Sequence, residues 1–140
     1  MKKLFVFLIK LLCYTVFFTA IFGISAYGGY LYITPSSYVT LNSSPSVIYT
    51  VNYYNRVLEV NTDNEDRLTL DYLKLTHKDI TDAIELTINE LKDKGNLPNN
   101  ADTGIIISVS GKDEDKANLL NKKLNNEIRI SYDKYYEDKK

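Results

Sequence analysis

The sequence predicts an α+β protein: an N-terminal transmembrane helix followed by a small β-β-β-α-β-α domain whose helices pack on one face of a sheet. Three observations lead there. Residues 11–33 are an uncharged run of 23 positions. Three short β-branched and aromatic runs follow it at close spacing. Two later segments repeat their apolar residues at helical intervals.

The uncharged run is long enough to cross a bilayer, for which a helix needs about 20 residues. Lys2, Lys3 and Lys10 lie on its N-terminal side, and the next charge is Arg56. A positive flank of this kind places the N-terminus in the cytoplasm and the rest of the chain outside it. Tyr27, Tyr30 and Tyr32 cluster at the far end, where amphipathic rings suit the membrane interface. The rival reading is a cleaved signal peptide cut near Ser25 and Ala26. The apolar run is longer than a signal core and continues through Ile33, so a retained single-pass anchor over residues 1–33 is the expectation. On either reading the domain is exported.

Beyond residue 33 lie all 18 acidic residues and all but three of the 17 basic ones, a net charge of −4. Such a balance gives no electrostatic footprint for nucleic acid. The single cysteine, Cys13, sits within the apolar run. It permits no intrachain disulfide, and with Leu12 before it there is no lipoprotein signal.

Residues 34–37 (Thr34, Pro35, Ser36, Ser37) read as a short polar joint, with the domain taken as residues 34–132. The first strand is expected over residues 38–41, from Tyr38 to Leu41, ended by the turn formers and proline of residues 42–46. Residues 47–51 resume strand character, residues 53–56 make a hairpin turn, and residues 57–60 return. A short helical turn is expected from Asn64 to about Tyr72. Thr76 and Asp79 have capping-box spacing with aspartate as the acid, and Ile80, Ala83, Ile84, Ile88 and Leu91 form one helical stripe. Gly95 and Pro98 end that helix. Residues 104–109 read as a central strand, apolar on both faces. Asp113, Glu114 and Asp115 start the last helix at its positive dipole end, and Ala117, Leu120, Leu124 and Ile128 are its stripe. A polar tail is expected over residues 133–140.

The search for chemistry yields expected absences. His77 is the only histidine, placed in the first turn of a helix as a solvated residue with no cysteine partner, so neither a metal site nor a catalytic dyad is expected. Asp113, Glu114 and Asp115 point in different directions along a helix and do not converge on a cation. Asp63, Glu65 and Asp66 lack the glycine and distal glutamate of a calcium loop. The expectation is a non-enzymatic chain with no metal, no cofactor and no small-molecule substrate, whose partners are the membrane and another membrane or signalling protein.

The membrane helix running into Tyr38-Val39-Thr40-Leu41, the Pro45-Ser46 pair, and Val51-Asn52-Tyr53-Tyr54-Asn55-Arg56-Val57 form an ordered set. It resembles the extracytoplasmic middle domain of the RsgI-like anti-sigma factors, which read YVTLDINPSIEL and then VNRFGRV at these points. The later Asn64-Glu65-Asp66, the helix ending at Gly95 and the strand with an acidic helix start also fit, so the resemblance covers residues 26–132. It implies a membrane-anchored regulatory or interaction domain in transmembrane signalling. In that family a cytoplasmic sigma-binding domain precedes the helix; only Met1, Lys2 and Lys3 precede it here, so sigma binding in the family's manner is not expected of this chain. Nor does this chain show the C-terminal carbohydrate-binding module that many relatives carry.

The resemblance also implies a candidate cleavage junction, because some members are thought to cut themselves at the Asn-Pro bond of this stretch. Here the two positions are Ser44 and Pro45. An asparagine amide can attack its own carbonyl and release the proline nitrogen, helped by strain. Serine has no such amide, and nothing nearby in the sequence activates its hydroxyl, so an intact chain is expected. The alternatives are an exported self-cleaving domain cut at Ser44–Pro45 and a generic secreted binding domain.

Overall fold

An extended backbone suits the β-branched and aromatic residues that follow residue 34, and their alternation decides which of them face inward. A computed structural model describes residues 1–43, 45–63, 72–95 and 105–137, with residues 72, 73 and 131–137 described by backbone alone. The elements run α1 (Lys2–Ile33), β1 (Pro35–Asn42), β2 (Val47–Asn52), β3 (Val57–Thr62), α2 (Tyr72–Leu75), α3 (Ile80–Asp93), β4 (Ile106–Gly111) and α4 (Glu114–Glu137). The four strands form one antiparallel sheet in the order β3-β2-β1-β4.

α1 is long and apolar enough to cross a membrane, and none of its residues is buried by the rest of the chain. Leaving so much apolar surface uncovered in water would be costly, whereas a bilayer accommodates it. Cys13 is exposed on it.

The inner face of the sheet is built in rows fixed by register. Val60, Tyr49, Val39 and Val109 lie side by side, as do Val47, Leu41 and Ile107. Val39, Leu41, Val47, Tyr49, Val51 and Val57 are fully buried. Against them α3 lays Ile80, Ala83, Ile84, Thr87, Ile88 and Leu91, and α4 lays Leu120, Leu124 and Ile128. Tyr49 spans the core, its phenol donating to Thr87 Oγ1 at 2.6 Å while that hydroxyl donates to the Ala83 carbonyl at 2.9 Å. Burial pushes the phenol well above its ordinary ionisation range, partly opposed by the hydrogen bond to Thr87. Gly111 answers a different demand: a Cβ there would stand 2.9 Å from the Ser36 carbonyl oxygen, so only glycine lets β4 approach β1 at this point.

The β-β-β-α-β-α order and the one-sided helices agree with the expectation; four details differ. β1 begins at Pro35 rather than Tyr38, because the supposed polar joint is already paired, Pro35 opposite Asn52 and Ser37 opposite Val51. β4 is an edge strand and not a central one. Its alternation is real, with Ile107 buried and Ile106 exposed, and β1 and β2 hold the centre. α3 begins at Ile80, capped by the Asp79 carboxylate, which accepts from Thr81 N at 3.0 Å. Thr76 therefore is not the cap, and His77 lies before the helix in a left-handed conformation (φ 67°). α4 continues to Glu137, into the residues read as a polar tail. Gly95 takes a left-handed φ of 68° after α3, as expected of a helix-ending glycine. The helical turn expected from Asn64 falls largely outside the described residues, as does Pro98.

Candidate functional site: the junction of anchor and sheet

Only Thr34 separates α1 from β1. Its extended backbone (φ −91°, ψ 127°) turns the chain out of the helix while its amide and hydroxyl both donate to the Tyr30 carbonyl, at 3.1 and 2.7 Å. A helix end leaves four carbonyls without intrahelical partners. One of them, the Tyr32 carbonyl, accepts from Asn52 Nδ2 at 2.7 Å.

Asn52 ends β2 and is almost wholly buried, at 1% exposure. Its Oδ1 accepts from the amides of Tyr54 and Arg56, both at 2.9 Å. The side chain thus closes the β2–β3 hairpin in the way Asx residues stabilise turns. Asn55 adopts φ 59°, the left-handed conformation that asparagine tolerates. One amide group therefore shapes the hairpin with its oxygen and holds the end of α1 with its nitrogen.

The ring of Tyr32 completes the junction. Its hydroxyl shares a 2.9 Å hydrogen bond with His77 Nδ1, and the two rings stack at 5.8 Å with 16° between planes. The Tyr54 ring also packs against Tyr32, tilted by 36° with centroids 6.4 Å apart. His77 is held for this contact by its own backbone: His77 N donates to the Val57 carbonyl at 2.7 Å, and Val57 N to the Lys78 carbonyl at 2.9 Å. The segment pairs as a short extra strand, with a bridge between Arg56 and Asp79. This pairing explains why α3 cannot start earlier, and it corrects the reading of His77 as a merely solvated helix-start residue.

The start of α4 meets the same hairpin. Asp113 accepts from Lys116 N at 3.0 Å. Lys116 Nζ donates to the Tyr53 carbonyl at 2.6 Å and lies 3.4 Å from the centroid of the Tyr53 ring. Partial burial lowers the pKa of Lys116, while the Asp113 carboxylate acts in the opposite direction.

The candidate cleavage junction lies at the other end of β1. Ser44 is outside the described residues. Pro45 is buried, and the Ser43 hydroxyl donates to its carbonyl at 2.7 Å. The loop is tied to the end of β3, where Ser46 N donates to Asp63 Oδ1 at 3.0 Å and Thr62 Oγ1 to the Ser46 carbonyl at 3.0 Å. Among the described residues no group of three or more His, Cys, Asp or Glu side chains is placed to hold a metal ion.

Of the residues that make the junction, Tyr32 is legible as part of an interfacial tyrosine cluster and Tyr54 as part of the hairpin turn. Asn52 stands in the family-like stretch with no role assigned to it, although an asparagine closing a strand before a two-tyrosine turn is an Asx-turn signal.

Comparison with known proteins places the sequence in a family. The family described as the anti-sigma factor RsgI-like central domain matches residues 36–139. The chain is also similar to anti-sigma-I factor RsgI7 of Acetivibrio thermocellus, with 27% identity over 110 residues, covering 73% of this chain and 20% of that protein. It thus spans about a fifth of the length of this curated relative. With the family model matching residues 36–139, well over half of its length, the chain belongs to the RsgI-like anti-sigma factor central-domain family.

Proposed function

We propose that this chain is a single-pass membrane protein that holds a non-enzymatic RsgI-like regulatory domain outside the cytoplasm and takes part in transmembrane signalling, with another membrane or signalling protein as its partner. The observation that carries the reading is the bonding of the last turn of α1 into the sheet through Asn52 and His77. A tilt or rotation of the helix must disturb these contacts, so the anchor and the domain report on each other.

The orientation is tested with protease added to intact spheroplasts. With Lys2, Lys3 and Lys10 at the cytoplasmic end, the domain beyond Thr34 is digested. Full protection of the domain overturns the orientation. Cell fractionation tests the rivals at the same time: a full-length chain in the membrane supports the proposal, and a soluble shortened chain supports a secreted binding domain.

Ser44 and Pro45 carry a separate expectation. Strain of roughly 1–3 kcal/mol speeds peptide hydrolysis only about a hundredfold, which leaves it negligible without an internal nucleophile. The wild type therefore remains one chain, whereas Ser44→Asn restores an asparagine amide and yields fragments ending at residue 44 and beginning at Pro45. β1 pairs with both β2 and β4, so cut pieces would stay together under native conditions. Denaturing electrophoresis and intact mass decide the matter: a wild type already split at this bond refutes the chemical argument, and an uncut Ser44→Asn means that the strain at this bond, or the resemblance itself, is too weak to support cleavage.

A further inference from the structure

The β2–β3 hairpin does more than receive the end of α1; it folds back alongside it. The Tyr54 hydroxyl lies 3.8 Å from the position a Cβ on Gly28 would occupy. Gly28 is five residues before the end of α1 at Ile33, a distance of about 7 Å at 1.5 Å per residue. The Tyr54 side chain therefore reaches below the point where the chain leaves the helix.

That depth can be placed against a bilayer. Counting about 20 residues from the cytoplasmic flank at Lys10 brings the outer edge of the hydrocarbon to Tyr30. The Tyr54 hydroxyl then stands at the boundary between acyl chains and headgroups. Tyr53 and Tyr54 are 51% and 47% exposed despite their size, and Tyr27 and Tyr30 on the helix are 66% and 59% exposed. Tyr27, Tyr30 and the Tyr54 hydroxyl thus lie near one level of α1, and Tyr53 meets Tyr54 edge-on with ring centroids 6.0 Å apart. Tyrosine is enriched at this level of membranes because its ring is apolar and its hydroxyl seeks water. The polar neighbours limit the depth. Arg56 is exposed beside the tip and belongs outside the hydrocarbon, and Lys116, bonded to the Tyr53 carbonyl, carries its charge on a long apolar stem.

We propose that Tyr53 and Tyr54, at the tip of the β2–β3 hairpin, join Tyr27 and Tyr30 in a collar that seats the domain in the headgroup layer of the bilayer its own anchor crosses. The partner is the lipid interface, met through rings and not through net charge. The Lys116 ammonium at this end is already taken up by the Tyr53 carbonyl and ring and feels the Asp113 carboxylate, so seating does not require anionic lipid. The proposal rests on the reading of α1 as a membrane span.

The chain contains no tryptophan, so one introduced indole reports on one place. Full-length Tyr53→Trp, Phe18→Trp and Ile106→Trp are placed in nanodiscs of phosphatidylcholine brominated either just below the glycerol or near the acyl chain end. Phe18→Trp, in the middle of α1, is quenched most by the deep bromine and tests the span by itself. Tyr53→Trp loses about half its fluorescence to the shallow bromine and far less to the deep one. Ile106→Trp, at the opposite end of β4, is unaffected. A quenched Phe18→Trp with an unquenched Tyr53→Trp overturns the collar while leaving the anchor standing. An unquenched Phe18→Trp overturns the span and the collar with it. Quenching of Tyr53→Trp that appears only when phosphatidylglycerol is added overturns the ring-based seating in favour of an electrostatic one. Equal quenching of Tyr53→Trp and Ile106→Trp overturns the assignment of the contact to the hairpin tip.

Discussion

Replacing Ile84 or Leu91 with alanine lowers the stability of the domain by about 2–5 kcal/mol, the range for removing a buried branched side chain and leaving a cavity behind. Both residues are completely buried. They lie seven positions apart, two turns along the same face of α3, and belong to the cluster formed with Val39, Leu41 and Tyr49. Against a typical total of about 5–15 kcal/mol for a domain, either loss removes a large share. The measurement is urea unfolding of the full chain held in detergent micelles, followed by the circular dichroism of the domain. Leu86 serves as the control, because it lies on the same helix at 43% exposure and its truncation should stay within about 0.5 kcal/mol. If Ile84→Ala and Leu91→Ala behave like Leu86→Ala, α3 does not pack on the sheet as described.

The second large effect is expected at Asn52. Substitution by leucine keeps the approximate volume but leaves the Tyr54 and Arg56 amides without their acceptor and the Tyr32 carbonyl without its donor. Each buried polar group left unpaired costs about 1–3 kcal/mol, so Asn52→Leu should lose at least about 3 kcal/mol in the same unfolding experiment. Asn52→Asp separates the two jobs of the side chain. It retains an acceptor for both hairpin amides, yet it brings a carboxylate to the Tyr32 carbonyl in place of a donor. The expected outcome is a smaller loss of stability with a loosened junction, read as faster amide exchange at Thr34. Equal effects of the two variants on both readouts would mean that hairpin and anchor are not held by separate atoms of this residue.

Much of the domain is written locally in the chain. β-branched and aromatic content identifies β2 and β3, and the stripes from Ile80 to Leu91 and from Ala117 to Ile128 identify the two core helices, because burial on one face imposes a period. The place of β4 in the sheet is not written locally. A run of three isoleucines at 105–107 looks the same in a central strand as in an edge strand, and only the pairing of Val39 with Val109 decides. The junction is less legible still. Its hydrogen bonds join residues 20 and 45 positions apart, and they depend on a left-handed His77 that no apolar pattern announces. The family resemblance located the hairpin correctly but offered no reason to single out Asn52.

The two margins of the sheet have a consequence on the proposed reading of α1 as a membrane span. Copies held in a bilayer by α1 would share one orientation and diffuse in a plane, so their flanks would meet more often and in better alignment than those of tumbling molecules. Unpaired strand margins under these conditions are templates for chain-to-chain zippering. At β4 the Asn125 side chain imitates a neighbouring strand, its Nδ2 donating to the Ile107 carbonyl at 3.0 Å and its Oδ1 accepting from Ile107 N at 3.4 Å. At the opposite margin, His77 and Lys78 occupy the outward backbone groups of Val57. Each margin thus has one residue, Ile107 on β4 and Val57 on β3, whose outward backbone groups are already taken by another part of the same chain and are closed to a neighbouring strand.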